Sequence, residues 1–324
     1  MIFCEHCGFE GVLHDTFEPD AFERGFWCEM CDGYTYFEGQ EDQHKFTLIT
    51  EQKCTHTALT GHNSKKLAKR LSPFRYPGGK SKLVDFLSSH LQEKRTKTLI
   101  SPFTGGGSFE LAMLEAGVVD SIHLNDLDLG IYAVWWVIKH MPYALIDCIE
   151  NSNLTHADYF RLQDHINRNY SGLDLVEAAW SALVVNRLAY SGIAKANPLG
   201  GRHGSQEQLL SRWNPTDLIR KITYIHQMSD AITITQRNVI EVIEEAYWLE
   251  NTTIFIDPPY VKKGKDLYPC YYTKRDHIEL AVTLESLHRG CPGADIVLTY
   301  DNDKWLKQLY ESAQVKQIDR YYSA

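Results

Sequence analysis

The 324-residue chain has no apolar run of about 18 residues, so nothing in it reads as a membrane-spanning helix. Its first residues, "MIFCEHCGFE", lack the basic-then-apolar order of a secretion signal. A soluble, cytoplasmic protein is the expectation. No GxGxxG follows a strand-like stretch, and the glycine spacing of "PGGKSK" is wrong for a phosphate cradle, which argues against dinucleotide and nucleoside triphosphate chemistry. Internal repeats and low-complexity tracts are absent as well. Excess positive charge is also missing: the net charge is -9, which taken whole speaks against a nucleic-acid partner.

That charge is unevenly placed. The first 60 residues hold 12 acidic side chains against 3 basic ones, which accounts for the whole excess. Residues 52–84 carry Lys53, Lys65, Lys66, Lys69, Arg70, Arg75, Lys80 and Lys82 with no acid, either a patch that meets phosphates or a solvated linker. Eight cysteines in a cytoplasmic chain argue for metal or free thiols. Cys4-x2-Cys7 and Cys28-x2-Cys31, each with a glycine soon after, suit a four-thiolate zinc site, with disulfides as the alternative. So small a unit cannot bury enough apolar surface to fold alone, and a structural zinc would supply the missing stability. These features predict a zinc ribbon over residues 1–50, whose acidity favours a protein partner over phosphate, and a basic linker over 51–72. Cys54, His56 and His62 fit no closed site and are read as linker residues.

From residue 73 strands and helices alternate. "KTLISPF", "SIHLND", "AITIT", "TTIFID", "ADIVLTY" and "VKQIDRYY" read as strands. Helical patterns fall between them, among them "SFELAMLEAG", "GIYAVWWVIKHM", two segments near 156–168 and 174–190, and "RDHIELAVTLESLHRG". Such alternation predicts an α/β fold with a mostly parallel sheet covered on both faces. Ligands then bind beyond the carboxyl ends of the strands. Three features fall at such ends. Gly105, Gly106 and Gly107 allow a sharp turn close to a ligand. Asp126 could hold a ribose or cap the next helix. "FIDPPY" ends a strand in Asp257, two prolines and Tyr260, a nucleoside corner or a rigid capped turn.

Together these residues resemble the DNA adenine methylase family, S-adenosylmethionine-dependent N6-adenine methyltransferases. The resemblance runs over "PFRYPGGKSKL", "SPFTGGGSFELA", "LNDLDLGIYAVW", "NRLAYSGIAKANPLGG" and "FIDPPY" in that order. It implies a Rossmann-like methyltransferase domain over 73–324, with a helical target-recognition region at about 141–250, and double-stranded DNA as the partner. It implies that Tyr76, Lys80, Phe103, Gly105, Gly107, Asp126 and Asp257 contact the methyl donor, and that Arg75, Arg187, Tyr190 and Asn197 face DNA. A prokaryotic, phage or mobile-element setting such as restriction–modification goes with it. Methylation of RNA, or a catalytically silent binding module, remain alternatives.

The chain departs from the family in having Ser101 where an acidic residue usually opens the cofactor loop, and Tyr76-Pro77 within "RYPGGK". It also stops at "RYYSA", before the family's last strand, which would lie inside the sheet; the expectation is either a truncated sheet with a long exposed edge, or an edge covered by another chain or by a rearrangement. The chemistry implied for "DPPY" is specific. The adenine amine is a weak nucleophile because its lone pair is delocalised. The Asp257 carboxylate and the Pro258 carbonyl can accept its two hydrogens and localise that pair, while Tyr260 stacks on the extruded base.

Overall fold

A computed structural model describes residues 2–3, 10–11, 25–28, 33–36, 44–53, 67, 70–75, 79–91, 96–261 and 270–320. Near the N-terminus, β1 (Ile2–Phe3) pairs antiparallel with β2 (Glu10–Gly11), and β3 (Gly25–Cys28) with β4 (Gly33–Tyr36). Cys4, Cys7 and Cys31, three of the four expected zinc ligands, lie outside the described residues, and of Cys28 only the backbone is described. Cys54, His56, His62 and Tyr76 are also outside them.

The body of the chain is an α/β fold. Seven strands form one sheet: β5 (Phe46–Lys53), β6 (Thr98–Ser101), β7 (Ser121–Asn125), β8 (Ile232–Thr235), β9 (Thr252–Ile256), β10 (Asp295–Asp301) and β11 (Gln314–Arg320). Their order is β11-β5-β10-β9-β6-β7-β8, and every neighbouring pair is parallel. Strand periodicity divides the core. Ile49, Leu99, Phe255 and Val297 join one buried cluster, whereas Leu48, Ile100, Ile254, Ile256, Ile296 and Leu298 join the other. Both faces are therefore apolar, as a parallel sheet covered by helices requires.

The helices are α1 (Val84–Ser88), α2 (Ser108–Glu115), α3 (Leu129–His140), α4 (Pro142–Glu150), α5 (His156–Asn167), α6 (Leu175–Leu188), α7 (Gln206–Leu210), α8 (Pro215–Gln227), α9 (Val239–Tyr247), α10 (Lys274–Gly290) and α11 (Lys304–Lys307). Several begin at capping boxes, in which side chain and amide satisfy each other: Thr155 with Asp158, Asp174 with Glu177, and Thr273 with Asp276. Helices α3 and α8 join the core cluster that faces β6 and β7, and α9 and α10 the opposite one. Helices α5 and α6 close a smaller cluster around Tyr159, Leu162, Val185 and Leu188. Among the described residues no helix is long and apolar enough to cross a membrane.

Three sequence expectations shift. Helices α4 and α8 stand where none was read, started by Pro142 and by Asn214-Pro215. The region assigned to target recognition, about 141–250, includes β8 and α9, which belong to the sheet layer, so the helical insertion between β7 and β8 ends near Gln227. The third shift is the largest. The boundary at residue 50 between ribbon and linker cuts through β5, a strand of the main sheet that lies between β10 and β11. The edge of β10 is thus covered by a strand from the N-terminal side, the rearrangement that was one of the expected outcomes. Phe46, Leu48 and Ile49 are buried in the two sheet faces. The Asp295 carboxylate accepts from the Lys45 amide at 2.7 Å and fixes the start of the register.

Candidate active site

The carboxyl ends of β6, β7 and β9 open into a cleft of about 890 Å³, a volume that includes the open solvent at its mouth. Its lining includes Lys80, Phe103, Gly105, Gly107, Asp126 and Asp257. Six of the seven residues expected at a methyl donor are thus brought to one place, and the seventh, Tyr76, is outside the described residues.

The glycine turn after β6 is held from two sides. Gly105 donates its amide to Asp126 Oδ2 at 2.8 Å, and its carbonyl accepts from Trp135 Nε1 at 3.1 Å. Gly107 caps α2 with φ of +57°, where a Cβ would stand 2.9 Å from the Trp135 ring. A side chain here would be strained and would collide. Asn125 ties the strand ends together, donating to the carbonyls of Pro102 and Arg237 and accepting from Thr235 and the Arg237 amide.

Asp126 does not cap α3. Asp128 does, accepting from the Gly130 and Ile131 amides. Asp126 instead bridges the two loops, taking the Asp128 amide at 3.0 Å on its other oxygen. Burial, reinforced by the Asp128 charge and opposed by the two amide bonds, pushes its carboxyl up to about 7.

Asp257 follows the fully buried β9. Its Oδ1 accepts from Lys80 Nζ at 2.7 Å and from Thr299 Oγ1 at 2.7 Å. Among the described residues Oδ2 makes no hydrogen bond, and the side chain keeps 22 % of its surface open on the cleft. Burial raises the Asp257 pKa, against the lowering influence of Lys80. Tyr260 joins the same corner. Its hydroxyl accepts from Lys80 Nζ at 2.9 Å and donates to Glu51 Oε1 at 3.0 Å, and the Lys80 ammonium lies 5.1 Å from its ring centre.

Two acids of this site were not read from the sequence. Glu51 arrives on β5, fully buried, with Lys80 Nζ 3.2 Å away. Glu110, on the first turn of α2, is 2 % exposed and lines the cleft. Burial pushes its carboxyl up to about 7, with Ser101 and its own amide opposing. The buried Ser101 hydroxyl makes no hydrogen bond of standard geometry. Ser101 thus leaves no carboxylate at the end of β6, while Glu110 presents one nearby on α2.

The residues expected to face DNA divide into two groups. Arg75 donates to the carbonyls of Arg187 and Ala189, and Arg187 to those of Pro73 and Arg212. Both guanidiniums therefore brace the segment 73–75 against the end of α6. Tyr190, 62 % exposed, and Asn197 stand on the surface loop beyond them. That loop is pinned by the Tyr190 amide donating to the Asn197 carbonyl at 2.9 Å and by Arg202 Nε donating to Asn197 Oδ1 at 3.3 Å.

Comparison with known proteins agrees with this architecture. The chain is 23 % identical over 278 residues to the type II methyltransferase M.MjaIII of Methanocaldococcus jannaschii, an alignment covering 76 % of this chain and 91 % of that protein. It is 19 % identical over 249 residues to the type II methyltransferase M.CviBI of Paramecium bursaria Chlorella virus NC1A, covering 76 % and 89 %. Residues 76–324, which carry the glycine turn, Asp126 and the Asp257 corner, match the D12 class N6 adenine-specific DNA methyltransferases, and the chain belongs to that family.

Proposed function

We propose that this adenine-specific DNA methyltransferase carries out transfer at the corner formed by Asp257, Pro258 and Tyr260, using S-adenosylmethionine held in the adjoining cleft. The family membership makes the reaction methylation of adenine in DNA rather than of RNA. The observation that carries the residue assignment is the posture of Asp257. One oxygen is fixed by Lys80 and Thr299, while the other faces an open cleft without a hydrogen bond among the described residues.

The residues fit a sulfonium donor. The turn at Gly105 and Gly107 lets the backbone come close, Asp126 suits ribose hydroxyls, and Phe103 supplies an apolar wall. Glu110 offers a carboxylate to the ammonium of the amino-acid end, where Ser101 has none. When bound, S-adenosylmethionine supplies an electrophilic methyl group. The work of the chain is to prepare the acceptor. Asp257 Oδ2 and the Pro258 carbonyl accept the two hydrogens of the adenine amine, which localises its lone pair and stabilises the growing positive charge. The prolines fix their φ angles and bring no competing N–H. Tyr260 stacks on the base drawn out of the duplex, a contact worth about 1–3 kcal/mol.

Tyr190, Asn197 and neighbouring polar groups of the exposed loop meet DNA in this reading, with Arg75 and Arg187 holding the loop at its base. A four-cysteine zinc ribbon at the N-terminus, its acidity directed to a protein partner, and a restriction–modification setting complete the proposal.

The test is mass spectrometry of DNA co-expressed with the protein, together with calorimetry of donor binding. Wild type should produce N6-methyladenine. Asp257→Ala should lower turnover by about 1,000-fold, within the range for a hydrogen-bonding catalytic group, and weaken donor binding by a much smaller factor, because the other residues of the cleft remain. Retained turnover in Asp257→Ala would remove the assignment.

A further inference from the structure

The corner beside Asp257 contains a charge that the family match, which starts at residue 76, does not include. Glu51 comes from β5, whose neighbours in the sheet are β10 and β11. The strand register places Glu51 opposite Asp301 of β10, and the Glu51 carbonyl accepts from the Asn302 amide at 2.9 Å. The Glu51 side chain is wholly buried, and the Lys80 side chain is 3 % exposed.

A buried ammonium must place three donors. Among the described residues, Lys80 has three acceptors around it: Asp257 Oδ1 at 2.7 Å, the Tyr260 hydroxyl at 2.9 Å and Glu51 Oε1 at 3.2 Å. The Tyr260 hydroxyl, receiving from Lys80, gives its own hydrogen to Glu51. Glu51 therefore touches both groups that steer the corner, the cation on Asp257 and the ring expected to stack on the base. Its carboxylate thus shares the Lys80 ammonium with Asp257 and accepts the Tyr260 hydrogen at the same corner.

We propose that Glu51 is a positioning residue of the methyl-transfer site. It fixes the Tyr260 ring and divides the Lys80 charge, so that Lys80 anchors Asp257 without quenching it as an acceptor. The proposal rests on the functional reading above, in that it takes Asp257 as the group that meets the adenine amine. Among the described residues, the charged groups that face Asp257 are Lys80, Glu51 and, from α2, Glu110, while Thr299 of β10 contributes a neutral hydroxyl. Removing the negative charge of Glu51 makes Asp257 easier to ionise and a weaker acceptor.

Two measurements test this on the full chain. In the first, Glu51→Gln is titrated beside wild type, following the 13C resonance of the Asp257 carboxyl, a readout that needs neither donor nor DNA. The midpoint should fall by about one unit, a tenfold change in ionisation. An unmoved or raised midpoint overturns the proposal. In the second, methylation of DNA is followed across pH. Glu51→Gln should lower kcat by about tenfold with donor KM within about twofold, and its acid limb should move to lower pH. Glu51→Asp should recover part of the loss, and Tyr260→Phe added to Glu51→Ala should cost little more than Glu51→Ala alone, because both remove the hydrogen bond from the Tyr260 hydroxyl to the Glu51 carboxylate. A loss of equal size at every pH, or fully additive effects, overturns it. Should wild type fail to methylate DNA, the functional reading falls, while the carboxyl titration still decides whether Glu51 tunes Asp257. Should Glu51→Gln not fold, Tyr260→Phe read in the same titration stands in for it, with a shifted midpoint expected and an unshifted one contrary.

Discussion

Glu110 shows how a single residue can trade stability for a site. Its carboxyl is buried beside Ser101, and burial raises its pKa from 4.5 to about 7. A carboxyl whose folded pKa lies above the unfolded one binds more protons when folded, so stability falls as pH climbs between those two values. Replacing it with glutamine removes that loss. Glu110→Gln should therefore be more stable than wild type at pH 8, by up to about 3 kcal/mol, and melt at a higher temperature, with the advantage vanishing below pH 4.5. Calorimetric melts across pH check this, and equal melting at pH 8 would contradict it. The same variant should bind S-adenosylmethionine more weakly. The placement of Asp257 and Asp126 at strand ends on the cleft was readable from the sequence because each follows an apolar strand. Glu110 was not, since an acid in the first turn of a helix ordinarily serves the helix dipole. Arg75 and Arg187 donate to backbone carbonyls at the base of the loop, a placement that the sequence letter does not distinguish from contact with phosphate.

At the scale of elements, most of the alternation was legible because apolar runs and capping residues mark strand and helix ends locally. Strand β5 was not. "FTLITEQK" stands beside the cysteine-rich segment, and the strands it pairs with lie at the other end of the chain, so no local pattern reveals that it completes the sheet. Its loss would not merely trim an edge. Phe46, Leu48 and Ile49 would leave both core faces, and β10 would be parted from β11. A chain lacking residues 1–43 should thus keep a cooperative thermal transition and donor binding, whereas one lacking residues 1–53 should lose both and aggregate through the opened strands. Circular dichroism melts and sedimentation would decide. A cooperative melt of the shorter chain would show that β5 is dispensable. The helical insertion was legible only in part, as α4 and α8 begin at prolines, which in sequence serve equally well as breaks.

For the whole molecule, the uneven charge and the topology point the same way. The acidic excess stays within the first 60 residues, so the remainder, neutral overall, can meet DNA at a local surface. Strand β5 joins these two parts of the chain, and this has a consequence for the order in which the molecule assembles. Lys45 and Asp295, which lock the start of β5, are 250 positions apart. During synthesis β5 leaves the ribosome long before either neighbour exists, carrying apolar side chains with no surface to cover them. Closing so distant a pairing is slow and exposes the waiting strand to wrong partners. Nascent chains arrested before residue 295 should accordingly be cut by protease within residues 46–53, and chains extended past residue 320 should resist. The same strand that brings Glu51 to Lys80 and Tyr260 thereby makes synthesis of β10 and β11 a condition for assembling the corner around Asp257.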